Sequence, residues 1–145
     1  MAVQRMHHVG IVVEDLEGAA GFFAELGFVR QGGWQVEGGW VDGVVGLEGA
    51  RSDIVMMETP DGHGRVELTR FLSPPVPDGD PQAPAHVPGI RHIAFEVDDL
   101  DDTLARLHAH GGRLVGEIEA YKDVYRLCYL RGPEGIIIEL AERLG

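Results

Sequence analysis

Several features that would indicate particular classes of protein are scarce in this sequence. Its 145 residues contain one cysteine, Cys128, so they form neither a disulfide framework nor a thiolate metal cage, and a reducing compartment is expected. No apolar run reaches the length of a membrane-spanning helix, and the first residues lack the apolar stretch of a signal peptide. We therefore expect a cytoplasmic protein with no membrane partner.

Positive charge is also scarce. Lys and Arg total 12 against 24 Asp and Glu, which gives a net charge of −12. Such a surface repels phosphate backbones, so no nucleic-acid partner is expected. A small anion would need a local cluster of cations such as Arg91, Lys122, Arg126 or Arg131.

What the sequence does contain is an internal repeat, the pattern that most directly fixes an architecture. HVGIVVEDLE, which begins at His8, resembles HIAFEVDDLD, which begins at His92. Each string is a short apolar run followed by acidic residues and then by apolar residues at helical spacing. Each helix has an expected N-cap and an expected stop, which are Asp15 and Gly27 in the first copy and Asp99 and Gly111 in the second.

The two copies also end alike. VELT around Glu67 resembles IELA around Glu139, and a turn signal, TPDG or RGPEG, precedes each string. The turn proline is one residue further from the glutamate in the first copy. Because a one-residue slip would reverse the faces of the strand, the turn near His63 is expected to absorb the extra residue. Most of the extra length of the first copy lies between Gly32 and Gly46.

These patterns predict an α+β protein of two modules, residues 1–72 and 90–145, joined by an extended Pro-rich linker, residues 73–89. Each module is expected to contain a strand, a helix and several antiparallel strands. The candidate strands are Met6–Val13, Val41–Leu47, Ile54–Glu58, Val66–Phe71, Ile90–Val97, Arg113–Ile118, Tyr125–Leu130 and Ile136–Leu140.

Glu67 and Glu139 are unusual because each lies within a run of apolar, β-branched neighbours. A buried carboxylate must be protonated, paired or bound to metal, unless the strand turns it towards solvent. His8 and His92 begin the first strand of each copy. Two imidazoles and two carboxylates would suit Ni, Co, Zn, Fe or Mn.

Each of these residues also has a structural interpretation, since a strand Glu often faces solvent and a strand His often lies in a core. Their recurrence at matching places favours the metal site. The sequence gives weaker support to several other candidates. His7 is expected to be exposed or to contact a metal-binding side chain without binding the metal itself. The aromatic side chains are expected to line a substrate site or to fill the core. These remaining candidates are His63, His108, His110, Trp34, Trp40, Tyr121, Tyr125 and Tyr129.

The strings HHVGIVVEDLEGAAGFFAELGF, RVELTRF, IRHIAFEVDDLDDTLARLHAHGG and GPEGIIIELAE make the chain resemble the vicinal oxygen chelate superfamily, which includes glyoxalases, bleomycin resistance proteins and extradiol dioxygenases. The resemblance is to the glyoxalase-like branch and covers nearly the whole chain. It implies two βαβββ modules that form a cupped mixed sheet around a metal cleft. It also implies ligands from the first and last strands of each module, here His8, Glu67, His92 and Glu139.

Members with all four ligands resemble lactoylglutathione lyases, epimerases and isomerases. The resemblance therefore implies a metal-dependent enzyme that acts on a small oxygenated metabolite through an enediolate, with Glu139 or Glu67 as general base. A homodimer is expected. The alternatives are a ring-cleaving dioxygenase and a protein that binds an antibiotic or metabolite without catalysis.

Two positions differ from the pattern of glutathione-dependent members. Those enzymes carry an Arg four residues after the first His and an Asn four residues after the first-module Glu. Val12 and Phe71 stand at these places, so a glutathione adduct is not the expected substrate.

Overall fold

The computed structural model describes residues 2–145 and divides into two compact units, with the boundary between Asp78 and Gly79. Each unit contains a mixed β-sheet and the helices that pack on it. Among residues 2–145, no helix combines the length and the apolar character that crossing a membrane requires.

The first unit contains a four-stranded sheet with the strand order β1-β4-β3-β2. Its first strand is parallel to its last strand, and the other neighbours are antiparallel. Its elements are β1 (Val9–Val12), α1 (Leu16–Leu26), β2 (Val29–Glu37), α2 (Gly39–Val45), β3 (Arg51–Glu58) and β4 (Arg65–Ser73).

The second unit repeats this arrangement in the order β5-β9-β8-β6, and β7 also pairs with β8. Here too the first strand lies parallel to the last. Its elements are β5 (His92–Val97), α3 (Leu100–His108), β6 (Arg113–Leu114), β7 (Glu119–Tyr121), β8 (Tyr125–Arg131), a 3₁₀ turn (Pro133–Gly135) and β9 (Ile137–Arg143). The α+β class and the two tandem modules predicted from the repeat are confirmed.

Alternation along the strands decides which face of each sheet is buried. Successive side chains point to opposite faces, and the apolar set on one face is removed from water while the other face stays partly open. Helix α1 packs on β3 and β4, and helix α3 packs on β9. The buried apolar side chains on these faces are Val55, Met57, Val66 and Leu68 in the first sheet and Cys128, Leu130, Ile138 and Leu140 in the second. Ile137 is also buried, on the opposite face of the second sheet.

Both predicted helix starts are confirmed. The Asp15 carboxylate accepts a hydrogen bond from the amide of Gly18, and the Asp99 carboxylate accepts one from the amide of Asp102. Helix α1 ends at Gly27, whose φ of 118° is readily adopted by glycine. Helix α3 ends at His108, earlier than the predicted stop at Gly111.

The turns before the last strands account for the one-residue difference between the copies. Glu58 pairs with Arg65 across a six-residue turn, whereas Arg131 pairs with Ile137 across a five-residue turn. The extra residue therefore lies in the turn that contains His63, as expected, and the strands that follow keep equivalent faces.

The structure corrects the prediction for the Gly- and Trp-rich insert. Most of the predicted strand Val41–Leu47 is instead in helix α2, which buries Val41. Gly38 before the helix and Gly46 after it both have positive φ and bound it. The Asp42 carboxylate accepts hydrogen bonds from the amides of Gly49 and Ala50 and so fixes the chain after the helix.

Two further strands differ from the prediction. The strand next to β3 is formed by Val29–Glu37, where none was expected. Of the predicted strand Arg113–Ile118, Arg113 and Leu114 form β6, and Val115 donates one more backbone hydrogen bond to β8 at the Tyr129 carbonyl. The short strand β7 follows and also pairs with β8.

Candidate metal centre

The pairing of β1 with β4 brings His8 towards Glu67. Gly10 is the register partner of Glu67, and His8 precedes Gly10 by two residues, so both side chains lie on the same face of the first sheet. The His8 Nε2 atom is 3.4 Å from a carboxylate oxygen of Glu67.

The second unit repeats this geometry. Ala94 is the register partner of Glu139, and His92 again precedes that partner by two residues. The His92 Nε2 atom is 3.7 Å from a carboxylate oxygen of Glu139. The repeat seen in the sequence therefore corresponds to the same three-dimensional relation in both units.

Strand alternation explains why the two glutamates tolerate their apolar neighbours. Leu68 and Leu140 point into the buried side of their sheets, whereas Glu67 and Glu139 point to the other side. The side chains of Glu67 and Glu139 are 25% and 24% exposed, so each carboxylate retains contact with water.

The carboxylates are available as ligands because no cation occupies them. Within residues 2–145, neither Glu67 nor Glu139 has a Lys or Arg nitrogen within 4.0 Å. Glu67 additionally accepts a long hydrogen bond from the Thr69 hydroxyl, at 3.4 Å. An imidazole nitrogen and a free carboxylate oxygen are donors that suit borderline divalent metals, so the donor chemistry fits such an ion.

Apolar side chains surround the pair in the first unit. Met56 is the partner of Glu67 across β3 and β4, and Trp34 reaches the same face from β2 through its pairing with Ile54. Val12 lies opposite Thr69, and Phe71 follows two residues later on that face. Sequence reasoning did not find Met56 or the position of Trp34, because both depend on strand pairings that no local pattern indicates.

In the second unit, an aromatic ring contacts the pair. Tyr129 is the partner of Glu139 across β8 and β9. Its ring centroid is 4.7 Å from that of His92, with an angle of 37° between the ring planes. Of the three tyrosines considered from the sequence, Tyr129 is therefore the one that touches a candidate ligand.

His7 contacts His8, one of the two candidate histidine ligands. Its Nδ1 atom is 2.7 Å from the Nδ1 atom of His8, so one ring donates a proton to the other. When His8 is the donor, its Nε2 atom carries a lone pair on the side of Glu67. A hydrogen bond of this kind fixes the tautomer of a metal-binding histidine.

The remaining candidates lie elsewhere within their units. His63 is in the turn before β4, His108 ends α3 beside Arg113, and His110 follows that helix. Trp40 is an exposed residue of α2. Cys128 lies on the buried face opposite Glu139, where burial raises the pKa of its thiol. In the part of the chain that the structure describes, no group of three or more His, Cys, Asp or Glu side chains is arranged so that it could hold a metal ion.

Comparisons with known proteins extend these observations. A crystal structure of a glyoxalase family protein from Bacillus cereus is 48% identical, with a TM-score of 0.96, and the match covers 100% of this chain and 99% of that one. The protein YaeR of Escherichia coli K12 is 26% identical over 99% of both chains. A fosfomycin resistance protein, FosX, from Listeria monocytogenes, solved with Mn(II) and a dihydroxypropylphosphonic acid, is 14% identical with a TM-score of 0.62 and covers 95% of this chain and 89% of that one. The last likeness concerns the fold alone.

The family model that describes the Glyoxalase/Bleomycin resistance protein/Dioxygenase superfamily matches residues 5–140. Nearly the whole chain is covered, and the two parallel pairings between first and last strands agree with that assignment. The chain belongs to the Glyoxalase/Bleomycin resistance protein/Dioxygenase superfamily.

Proposed function

We propose that this chain is a metal-dependent lyase, isomerase or epimerase that acts on a small oxygenated metabolite. Its ligands are His8 and Glu67 from the first unit and His92 and Glu139 from the second. The observation that carries the proposal is the recurrence of one His–Glu pair, in the same register, in each unit.

The side chains of the two glutamates are suited to moving a proton. A divalent ion, when bound, supplies positive charge that stabilises negative charge developing on neighbouring substrate oxygens. Within residues 2–145, Glu67 and Glu139 have no Lys or Arg nitrogen within 4.0 Å, and each keeps about a quarter of its side-chain surface exposed. A carboxylate in that position accepts a proton from the carbon beside a carbonyl group and returns it to the same or the next carbon.

The surroundings limit the substrate. Val12, Phe71, Met56 and Trp34 give the face beside Glu67 an apolar and aromatic character. This surface favours a metabolite whose flank is less polar than a glutathione carboxylate.

A second candidate function is binding without catalysis. Trp34 favours it, because a tryptophan that is 49% exposed on the face of the His–Glu pair offers a stacking surface to an aromatic or planar ligand. A ring-cleaving dioxygenase is a third candidate, although it commonly uses two histidines and one carboxylate, which leaves the second glutamate without a role.

Metal analysis of the purified protein tests the proposal. We expect about one divalent ion per chain after exposure to Ni, Co, Zn, Fe or Mn, and loss of most of that metal in the Glu67→Ala and His92→Ala variants. Glu58→Ala and His108→Ala are matched controls, since Glu58 already pairs with Arg65 and His108 lies on the helix. Full metal content in the Glu67→Ala and His92→Ala proteins would contradict the ligand assignment.

Solvent deuterium then separates the candidate functions. A proton-transferring enzyme incorporates deuterium beside the carbonyl of its substrate, which NMR detects in a panel of hydroxy-ketones and thioesters. Oxygen consumption with catechols would instead support the dioxygenase, and tight binding without exchange or turnover would support the binding protein.

Sedimentation tests the proposed homodimer, which a species of 15.8 kDa alone at micromolar concentration would contradict.

A further inference from the structure

Four cationic residues were identified from the sequence as places where a small anion could bind, and the structure gives them different surroundings. The guanidinium of Arg126 is 3.1 Å from Asp101 and 3.4 Å from Glu142, so carboxylates already neutralise it. The ammonium of Lys122 lies 5.3 Å from the ring centroid of Tyr121, in an exposed turn. The other two, Arg91 and Arg131, behave differently.

Arg91 and Arg131 converge on one backbone oxygen. The Nη2 atom of Arg91 is 2.9 Å from the Ala83 carbonyl oxygen, and the Nη2 atom of Arg131 is 3.1 Å from the same oxygen. The two guanidinium groups are therefore neighbours, because their Nη2 atoms both lie within 3.1 Å of the same oxygen atom.

Among residues 2–145, no carboxylate oxygen lies within 4.0 Å of a guanidinium nitrogen of Arg91 or Arg131. All of the hydrogen-bond acceptors that the structure gives Arg91 and Arg131 within residues 2–145 are carbonyl oxygens, those of Pro81, Ala83, Pro84 and Gly135. Carbonyl dipoles stabilise a guanidinium but do not cancel its charge. Two adjacent uncompensated cations are notable in a chain whose net charge is −12.

Both guanidinium groups keep donors that the carbonyls do not use. The bonds of Arg91 involve Nε and Nη2, which leaves Nη1, and those of Arg131 involve Nη1 and Nη2, which leaves Nε. A guanidinium has five N–H donors and matches the geometry of carboxylate and phosphate oxygens. An anion therefore has donors available without displacing the carbonyls.

The segment around Pro81 holds the pair in place. Gly135 packs so closely on the Pro81 backbone that an added Cβ would collide with it, and the φ of Gly135 is +89°. Arg131 donates to the carbonyls of both residues through Nη1. The cation pair is thus positioned by backbone on two sides and does not depend on long flexible side chains alone.

Arg131 lies on the face of the second sheet that carries the candidate ligands His92 and Glu139. Arg131 and His92 are both register partners of Ile137, one on each side of β9, so their side chains share that face. Two strand spacings separate their backbones, about 10 Å.

We propose that Arg91 and Arg131 form an anion subsite that binds a carboxylate or phosphate group of the substrate. The role in substrate binding rests on the proposed function, whereas the anion site itself exists without any metal. The substrate class becomes a small oxygenated metabolite with one terminal anionic group.

The test uses the metal-free full chain at constant ionic strength, so that loss of the metal site cannot affect it. Inorganic phosphate and succinate are titrated separately by calorimetry, and 1,4-butanediol is the neutral control. We expect millimolar or tighter binding of at least one anion and at least a tenfold weakening in both Arg131→Gln and Arg91→Gln. The relative affinity of the two anions shows whether the group is a phosphate or a carboxylate.

Arg126→Gln is the matched charge control on the same strand, and Arg70→Gln is an exposed control in the first unit. Both should bind the anions with wild-type affinity once the charge of the whole chain is taken into account. If Arg131→Gln fails to fold, Arg91→Gln carries the test. Equal anion affinity in wild type and in Arg91→Gln, or no anion binding by the wild type, would show that the pair only anchors the Pro81–Pro84 backbone and would overturn the inference.

Discussion

The absence of lactoylglutathione lyase activity is the sharpest expectation for this chain. Val12 and Phe71 stand where glutathione-dependent members of the superfamily carry an Arg and an Asn. Val12 is 55% exposed on the face of Glu67 and pairs with Thr69, and Phe71 follows Thr69 by two residues. One strand spacing and two residues of rise place Val12 and Phe71 about 8 Å apart, close enough to act on one group.

The size of the effect follows from the two missing contacts. A charge-assisted hydrogen bond contributes about 1.5–3 kcal/mol, and an apolar surface gives a carboxylate nothing in exchange for its lost water. Two such contacts correspond to roughly 10² to 10⁴ in kcat/KM, at about 1.4 kcal/mol for each factor of ten. We expect the double variant Val12→Arg, Phe71→Asn to gain part of this factor over the wild type.

The assay uses methylglyoxal and glutathione with the Ni, Co and Zn forms of the wild type and of the single and double variants. Denaturant unfolding of each variant controls for damage to the fold. A wild-type kcat/KM of about 10⁴ M⁻¹s⁻¹ or above would refute the reasoning. Inactive wild type and equally inactive, folded double variant would show that other features exclude the glutathione adduct.

Three further expectations concern the contacts on which the site and the fold depend. His7→Ala should weaken metal affinity by about 10- to 100-fold in a chelator competition, and His7→Asn should restore much of it, since an amide oxygen also accepts the His8 Nδ1 proton. Asp15→Ala should lower the free energy of unfolding by about 1 kcal/mol, because the amide of Gly18 loses its acceptor, whereas the exposed Asp98→Ala should leave it unchanged. Arg30 lowers the pKa of Glu17, so that pair stabilises the fold above the unfolded pKa and loses its effect as the pH falls through the folded one. Glu17→Gln should therefore cost less than about 1 kcal/mol at pH 7 and nothing in strong acid, and a larger cost in acid would contradict this sign.

Secondary-structure elements that occur in both modules were predicted more accurately from the sequence than elements that occur in only one. The helix starts, the first and last strands of each module and the compensating turn near His63 each have a second copy against which a weak local signal can be checked. The insert between β2 and β3 has no counterpart. There, valines separated by glycines fit a strand as well as a helix, and tertiary packing of Val41 decided for the helix.

The two His–Glu pairs could be predicted for the same reason, up to a limit. The repeat identified His8 and His92 and the two glutamates, and the strand register then brought each His towards its Glu. The neighbours of the pairs could not be predicted, because Met56 and Tyr129 reach their glutamates only through cross-strand pairing. Pairing between distant strands is set by the whole sheet and leaves no local pattern.

Equivalent positions around the two His–Glu pairs differ consistently in polarity. The residues four places after each His are Val12 and Glu96, and those four places after each Glu are Phe71 and Arg143. In the second unit these two positions form an ion pair, with Arg143 Nε 3.5 Å from Glu96, whereas in the first unit both are hydrocarbon.

The cross-strand partners follow the same division, since Met56 lies opposite Glu67 and Tyr129 lies opposite Glu139. The repeat thus provides the same donors twice but surrounds them with apolar groups in one unit and with polar groups in the other. An apolar group is therefore accommodated beside the His–Glu pair of the first unit, and a polar or charged group beside the pair of the second.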